Sequence, residues 1–259
     1  MDMPPSTSLS RLCVSIARPT TAAALYAAIE AGRQADMVEV RLDALSDRAT
    51  TLEAVNSLLP AVSAPLLFTN RPAWEGGADQ GPEDQRLAPL LAALDDGRAW
   101  VDIELRTAPE PRRRVIAAAR RATTNGARLS RQTDHAGGGR VIVSWHNFDS
   151  TPDGAALAEI LQQQYDSGAD VGKIVTMADT FQDVLRVLTL QERAAQLDFP
   201  LIAFCMGEVG QISRLASCFL GGYMTYAAEA NGAATAPGQL PAPVLRRVEQ
   251  LLLLQQEKP

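Results

Sequence analysis

Lysine is nearly missing from this 259-residue chain, which sets 22 Arg against Lys173 and Lys258 alone. Histidine is as scarce, with only His135 and His146, and the three cysteines (Cys13, Cys205, Cys218) lie far apart without a CxxC pair. So few sulfur and imidazole groups exclude the spacing of a zinc site, and no metal is expected; the thiols read as free and reduced. Apolar runs are far shorter than the roughly 20 residues that cross a bilayer, and MDMPPSTSLS has no apolar stretch of a secretion signal. No membrane partner and a cytoplasmic location are the expectations. Positive charge is in deficit too: 30 acidic residues against 24 basic give a net charge of -6, which argues against nucleic acid. The local exception, Arg112, Arg113, Arg114, Arg120 and Arg121, brackets the apolar VIAAA and reads as the solvated face of a helix.

What is present is a repeating alternation. Apolar β-like runs occur at 12–17, 37–42, 66–70, 100–105, 141–146, 170–176, 201–206 and 223–228. Helical patterns fall between most of them, at 20–32, 150–168, 186–196 and 242–254. The first ends at Gly32; the second starts with Thr151 as N-cap and Pro152 at the first helical position. Eight βα units in this length predict an α/β fold, a (β/α)8 TIM barrel, with a parallel sheet. One domain over 1–259 is expected, with 1–11 a flexible N-terminal segment. A doubly wound sheet is the alternative, but no GxGxxG follows the first run. HAGGGR (135–140) lacks a P-loop ending and reads as a connection.

Functional side chains of such barrels gather at the C-terminal strand ends. Lys173 sits inside ADVGKIVTM, where a surface charge has no place. Unlike Arg, a lysine can lose its proton, and burial disfavours the ammonium form, leaving an amine that attacks carbonyls. The plainer reading is a barrel lysine paired with a carboxylate. His146 ends the preceding strand, close enough for a base to meet that amine. Glu39 and Arg41 share one face of their strand, as an ion pair or as binding groups. Arg71, Glu75 and Gln239 follow strand ends; Arg214 reads as lying near a helix start, where backbone N–H groups would help it hold an anion. Asp102 and Glu104 read as supporting carboxylates. An amine for a ketone, an imidazole for protons and arginines for an anion describe Schiff-base chemistry; aldol cleavage and dehydration both fit.

The blocks EVRLD, FTNRPAWEGG, VDIEL, VSWHNFDSTP, ADVGKIV, MGEVGQISRL and TAPGQ occur in one order from about Leu12 to Gln239. In that order they resemble type I 3-dehydroquinate dehydratase, the shikimate-pathway lyase of aromatic amino-acid biosynthesis. The resemblance implies Lys173 as the Schiff-base lysine, His146 as general acid/base and Glu75 as the carboxylate orienting it. It implies Ser15, Glu39, Arg41, Arg71, Arg214, Thr235 and Gln239 as substrate contacts, with Arg214 on the substrate carboxylate. Its substrate is 3-dehydroquinate, its mechanism needs no cofactor, and its members form homodimers. Thr235 stands where a Ser is expected, which keeps the hydroxyl and adds a methyl.

Overall fold

The computed structural model describes residues 11–122, 139–230 and 235–253. All eight expected strands are present within one residue of their predicted ends: β1 (Arg11–Ile16), β2 (Met37–Arg41), β3 (Leu66–Thr69), β4 (Trp100–Glu104), β5 (Arg140–Asn147), β6 (Val171–Met177), β7 (Leu201–Met206) and β8 (Met224–Ala227). Arg11 opens β1, so the expected loose segment 1–11 loses that residue to the strand; 1–10, His135, most of the 135–140 connection and Lys258 lie outside the described residues. The strands are parallel in the order β7-β6-β5-β4-β3-β2-β1-β8. Tyr223 N donates to Leu201 O at 2.9 Å across the remaining seam, giving a nearly closed (β/α)8 barrel.

The helices are α1 (Thr21–Ala31), α2 (Thr51–Ala61), α3 (Glu83–Asp95), α4 (Pro109–Ala122), α5 (Gly154–Asp166), α6 (Phe181–Leu188), α7 (Leu190–Gln196), α8 (Gly207–Phe219) and α9 (Ala242–Leu253). On α4, Val115, Ile116, Ala118 and Ala119 are buried while Arg113, Arg114, Arg120 and Arg121 are exposed, the amphipathic pattern the sequence predicts; Arg112, expected on the solvated face, is instead half-buried and donates to Thr107 O at 3.1 Å. Two predictions are corrected. Helix α5 is capped not by Thr151 but by Asp153, whose carboxylate accepts from Ala156 N at 2.8 Å. Thr151 is engaged elsewhere, its hydroxyl donating to Met177 O at the end of β6 (2.6 Å). The segment 186–196 is not one helix: α6 starts in a capping box between Thr180 and Asp183, and the chain breaks at Thr189 before α7.

Side-chain parity along the strands divides the core. One set (Val38, Val40, Phe68, Val101, Ile103, Val141, Val143, Ile174, Ala203) packs outward under the helices. The other set fills the barrel. Its lower layer is apolar, with Cys13, Met37, Leu67, Trp100, Ile142, Val171, Ile202 and Met224. One pleat higher, towards the C-terminal ends, stand Ser15, Glu39, Thr69, Asp102, Ser144 and Lys173, all buried. β7 and β8 break this rule and stay apolar with Phe204, Met206 and Tyr226. The apolar floor seals the barrel, and the polar layer above it forms the floor of a cavity.

Candidate active site

A cavity of about 240 Å³ opens at the C-terminal end of the barrel. Nine of the ten residues expected in the site line it: Glu39, Arg41, Arg71, Glu75, His146, Lys173, Arg214, Thr235 and Gln239. Ser15 does not line it. That side chain is buried beside Glu39, and its hydroxyl donates to Glu39 Oε2.

Lys173 is paired with carboxylates, as its plainer reading has it, and it also lines the cavity. Its Nζ lies 3.3 Å from Asp102 Oδ2 and 3.7 Å from Glu39 Oε1, and 4.1 Å above the centre of the Tyr226 ring. It is therefore a paired barrel lysine that also faces the cavity. Its backbone is held from outside: Gln164 Nε2 donates to Lys173 O at 2.8 Å. Gly172 makes that approach possible, since a Cβ there would stand 2.7 Å from Gln164 Oε1 and 2.8 Å from the Phe199 ring. Thr69 and Ser15 satisfy the Glu39 carboxylate, fixing one flank of the amine.

Register sets His146 opposite Val175 and Ser144 opposite Lys173, so the imidazole stands one pleat above the amine on the neighbouring strand. Its Nδ1 is 2.9 Å from Glu75 Oε1, which also accepts the backbone N–H of His146 at 3.2 Å. Burial, then the nearby cations Arg71, Lys173 and Arg41, hold the imidazole well below its ordinary pKa of 6.5. Glu75 is driven the other way, to about 8, by burial and by Glu104 and Asp102, against the pull of Arg71. The resting pair is thus neutral. With Nδ1 turned to Glu75, Nε2 is the nitrogen left for the cavity.

The arginines divide sharply. Arg71 Nη1 lies 2.7 Å from Glu104 Oε1 and 3.8 Å from Glu75 Oε1, and its Nη2 lies 2.9 Å from Asp102 Oδ1. Arg86 holds the other oxygen of Glu104 at 2.8 Å. Asp102 and Glu104 are thus supporting carboxylates, as expected. Arg41 pairs with Asp43, not Glu39, through two bonds of 2.8 and 2.6 Å. Asp43 also accepts the backbone N–H of Arg71 and of Ala78, at 3.1 Å each, and so pins the loop that carries Glu75.

Arg214 is buried with no carboxylate partner among the described residues. Its Nη2 donates to Pro237 O at 3.0 Å, its guanidinium lies 4.3 Å over the Phe204 ring, and its Nε has no partner. Burial pulls its pKa down to about 10. The expectation of a helix-start position is corrected: α8 begins at Gly207, directly at the end of β7, so Arg214 lies two turns in and its helix lends it no free N–H groups. Thr235 and Gln239 close the rim together, with Gln239 Oε1 accepting from Thr235 N (2.8 Å) and Thr235 Oγ1 (3.0 Å).

Sequence reasoning missed Asp43, Tyr226, Phe204 and Phe148. Asp43 stood in view inside EVRLD, two residues from Arg41. Phe204 and Tyr226 carried no signal, because an inward aromatic on a barrel strand looks like ordinary core; Phe148 lies just past the end of β5, inside the block VSWHNFDSTP.

A profile of type I 3-dehydroquinase matches residues 12–256. A protein of Desulfotalea psychrophila named 3-dehydroquinate dehydratase is 40% identical over 238 residues, covering 92% of this chain and 96% of its own. The crystal structure of 3-dehydroquinate dehydratase from Geobacillus kaustophilus superposes with a TM-score of 0.81 at 28% identity, over 95% of this chain and 91% of that one. That of the type I enzyme from Clostridium difficile, bearing covalently modified comenic acid, gives 0.80 at 26%, over 95% and 92%. No helix among the described residues is long and apolar enough to cross a membrane. The chain belongs to the type I 3-dehydroquinase family.

Proposed function

We propose that this enzyme dehydrates 3-dehydroquinate to 3-dehydroshikimate, in the shikimate pathway, through an imine on Lys173. The observation that carries the mechanism is the convergence, on one cavity, of the Lys173 amine, a neutral His146 fixed by Glu75, and a buried arginine without a carboxylate. Lys173 adds to the C3 ketone, and the carbonyl oxygen leaves as water. The iminium withdraws electrons from C2, and His146 Nε2 takes the C2 proton while the C–H pair moves into an enamine. The C1 hydroxyl then departs as water with the proton returned by His146, the enamine electrons restore the iminium, and hydrolysis frees the lysine. Removal and delivery from one imidazole make the elimination syn.

Arg214 pairs with the substrate carboxylate, and its free Nε and lack of a counter-ion among the described residues support that role. Arg41, Glu39, Thr235 and Gln239 face the hydroxyls from the rim and floor. Arg71 touches the cavity, but its saturation by carboxylates supports a bracing role more than a binding one. A cytoplasmic homodimer accompanies this reading. Exposed Phe181 and Leu185 on α6, beside Val209 and Ile212 on α8, offer an apolar surface for self-association, which light scattering tests.

The deciding experiment is intact mass after 3-dehydroquinate and borohydride, beside the absorbance of the conjugated product. An irreversible adduct on wild type and none on Lys173→Ala, with product formed, supports the mechanism. An active wild type that never traps removes the imine.

A further inference from the structure

Phe148 follows the catalytic imidazole by two residues and is 39% exposed, an unusual place for a phenyl ring that also lines the cavity. Its ring lies almost parallel to that of His146, with centroids 5.9 Å apart and planes 15° from each other. Two devices hold it there. Asn147 Oδ1 accepts the N–H groups of Asp149 (2.9 Å) and Ser150 (3.1 Å), a side-chain turn that folds the strand end back on itself. Beneath the ring, Gly76 has φ 76°, and a Cβ at that position would stand 2.3 Å from Phe148 Cζ. The residue next to Glu75 therefore leaves room for the ring that covers His146. One ring, carried just past the end of β5, thus stands over His146 and over the residue that follows Glu75.

We infer that Phe148 is a positioning residue for the elimination: its ring roofs the His146–Glu75 pair against bulk water and keeps the imidazole edge turned into the cavity. The inference rests on the proposed role of His146 as base. Phe148 itself carries no charge. The charged groups around the imidazole come from other elements: Arg41 from β2, Arg71 and Glu75 from the end of β3 and its loop, Asp102 and Glu104 from β4, Lys173 from β6. Replacing the ring leaves all of them in place and changes water access. Burial is the largest cause of the low imidazole pKa, so water entry moves the titration upward.

The chain has two histidines, so the imidazole Cε1–H groups give two NMR signals, and a His146→Asn sample assigns them. In Phe148→Ala the His146 midpoint is expected to rise by about one pH unit, towards that of a hydrated imidazole. The acid limb of kcat/KM is expected to move with it. Phe148→Leu, which keeps the apolar cover, holds the wild-type midpoint. A melting curve checks that both variants fold, and an unchanged midpoint in folded Phe148→Ala overturns the inference. Borohydride trapping of the wild type separates the two levels. With a Lys173 adduct and an unmoved midpoint, only the role of Phe148 fails; with no adduct, the mechanism it serves fails too.

Discussion

The two walls of the cavity treat a buried arginine in opposite ways. On the β3–β4 side, Arg71 meets Asp102, Glu104 and Glu75, and Arg86 backs Glu104 from behind. On the β7–β8 side, Arg214 meets a carbonyl and an aromatic face, with an Nε bonded to nothing. Both side chains are almost fully buried. Desolvation penalises each cation; carboxylates offset it for Arg71, whose pKa is raised, and nothing comparable does so for Arg214, whose pKa falls to about 10. A buried charge that the fold leaves uncompensated is poised for a charge from outside. The first wall braces the site; the second, on the proposed function, receives the anion.

The sharpest way to break this contrast is to remove each cation in turn. Arg71→Ala leaves the buried carboxylates of Asp102 and Glu104 without their shared partner, and the expected loss is about 3–5 kcal/mol in urea unfolding, with activity lost as well. Arg214→Met should act in reverse. It removes an uncompensated buried charge, so the melting temperature should hold or rise, while kcat/KM falls on the order of 100-fold for want of a charge-assisted contact. Two variants that both destabilise, with equal effects on KM, would erase the distinction between the walls.

Much of this was legible because rare residue types have few explanations. Two lysines and two histidines in the whole chain make Lys173 and His146 conspicuous, and strict alternation along the β runs fixes which residues point into the barrel. What stayed hidden depends on geometry that strand periodicity does not encode. Arg41 seemed matched to Glu39 by parity, yet the short turn after β2 brings Asp43 round to take its Nε and Nη2. MGEVG has two glycines and no side-chain cap, yet Gly207 at φ 83° starts α8 directly from β7. That junction, not a helix N-terminus, aims Arg214. Ser15 shares the inward parity and the layer of Glu39, yet its hydroxyl is spent on the Glu39 carboxylate and it does not line the cavity.

Glu75 marks the limit of the braced wall. Arg71 is 3.8 Å from it against 2.7 Å from Glu104, too weak a pairing to prevent the rise in its pKa to about 8. Between its ordinary 4.5 and about 8, the folded chain holds a proton that the unfolded chain has released, so this group makes stability fall as pH rises through that window. His146, with a lowered pKa, has the opposite slope, but only below 6.5. From pH 6.5 to 8 the Glu75 effect stands without that opposing slope. Glu75→Gln should flatten it, gaining roughly 1–2 kcal/mol on wild type at pH 8, read from urea curves at the two pH values. A wild-type stability that already rises across this interval would contradict a neutral Glu75.

The smallest effect tests what the receiving wall uses in place of carboxylates. Phe204 presents its face to the Arg214 guanidinium at 4.3 Å, inside the range where a ring quadrupole attracts a cation. Such a contact contributes about 0.5–2 kcal/mol, more when water is absent. The attraction differs from a carboxylate in leaving the positive charge unneutralised, so the ring can hold the guanidinium in place and the substrate anion still meets a full cation. Phe204→Leu keeps the apolar volume and removes the quadrupole. KM should rise roughly two- to five-fold, the lower part of that range, with kcat and melting temperature nearly unchanged. A variant that instead gains a large loss in kcat would mean that the ring steers the reacting centre, and that Arg214 needs no aromatic support to stay aimed.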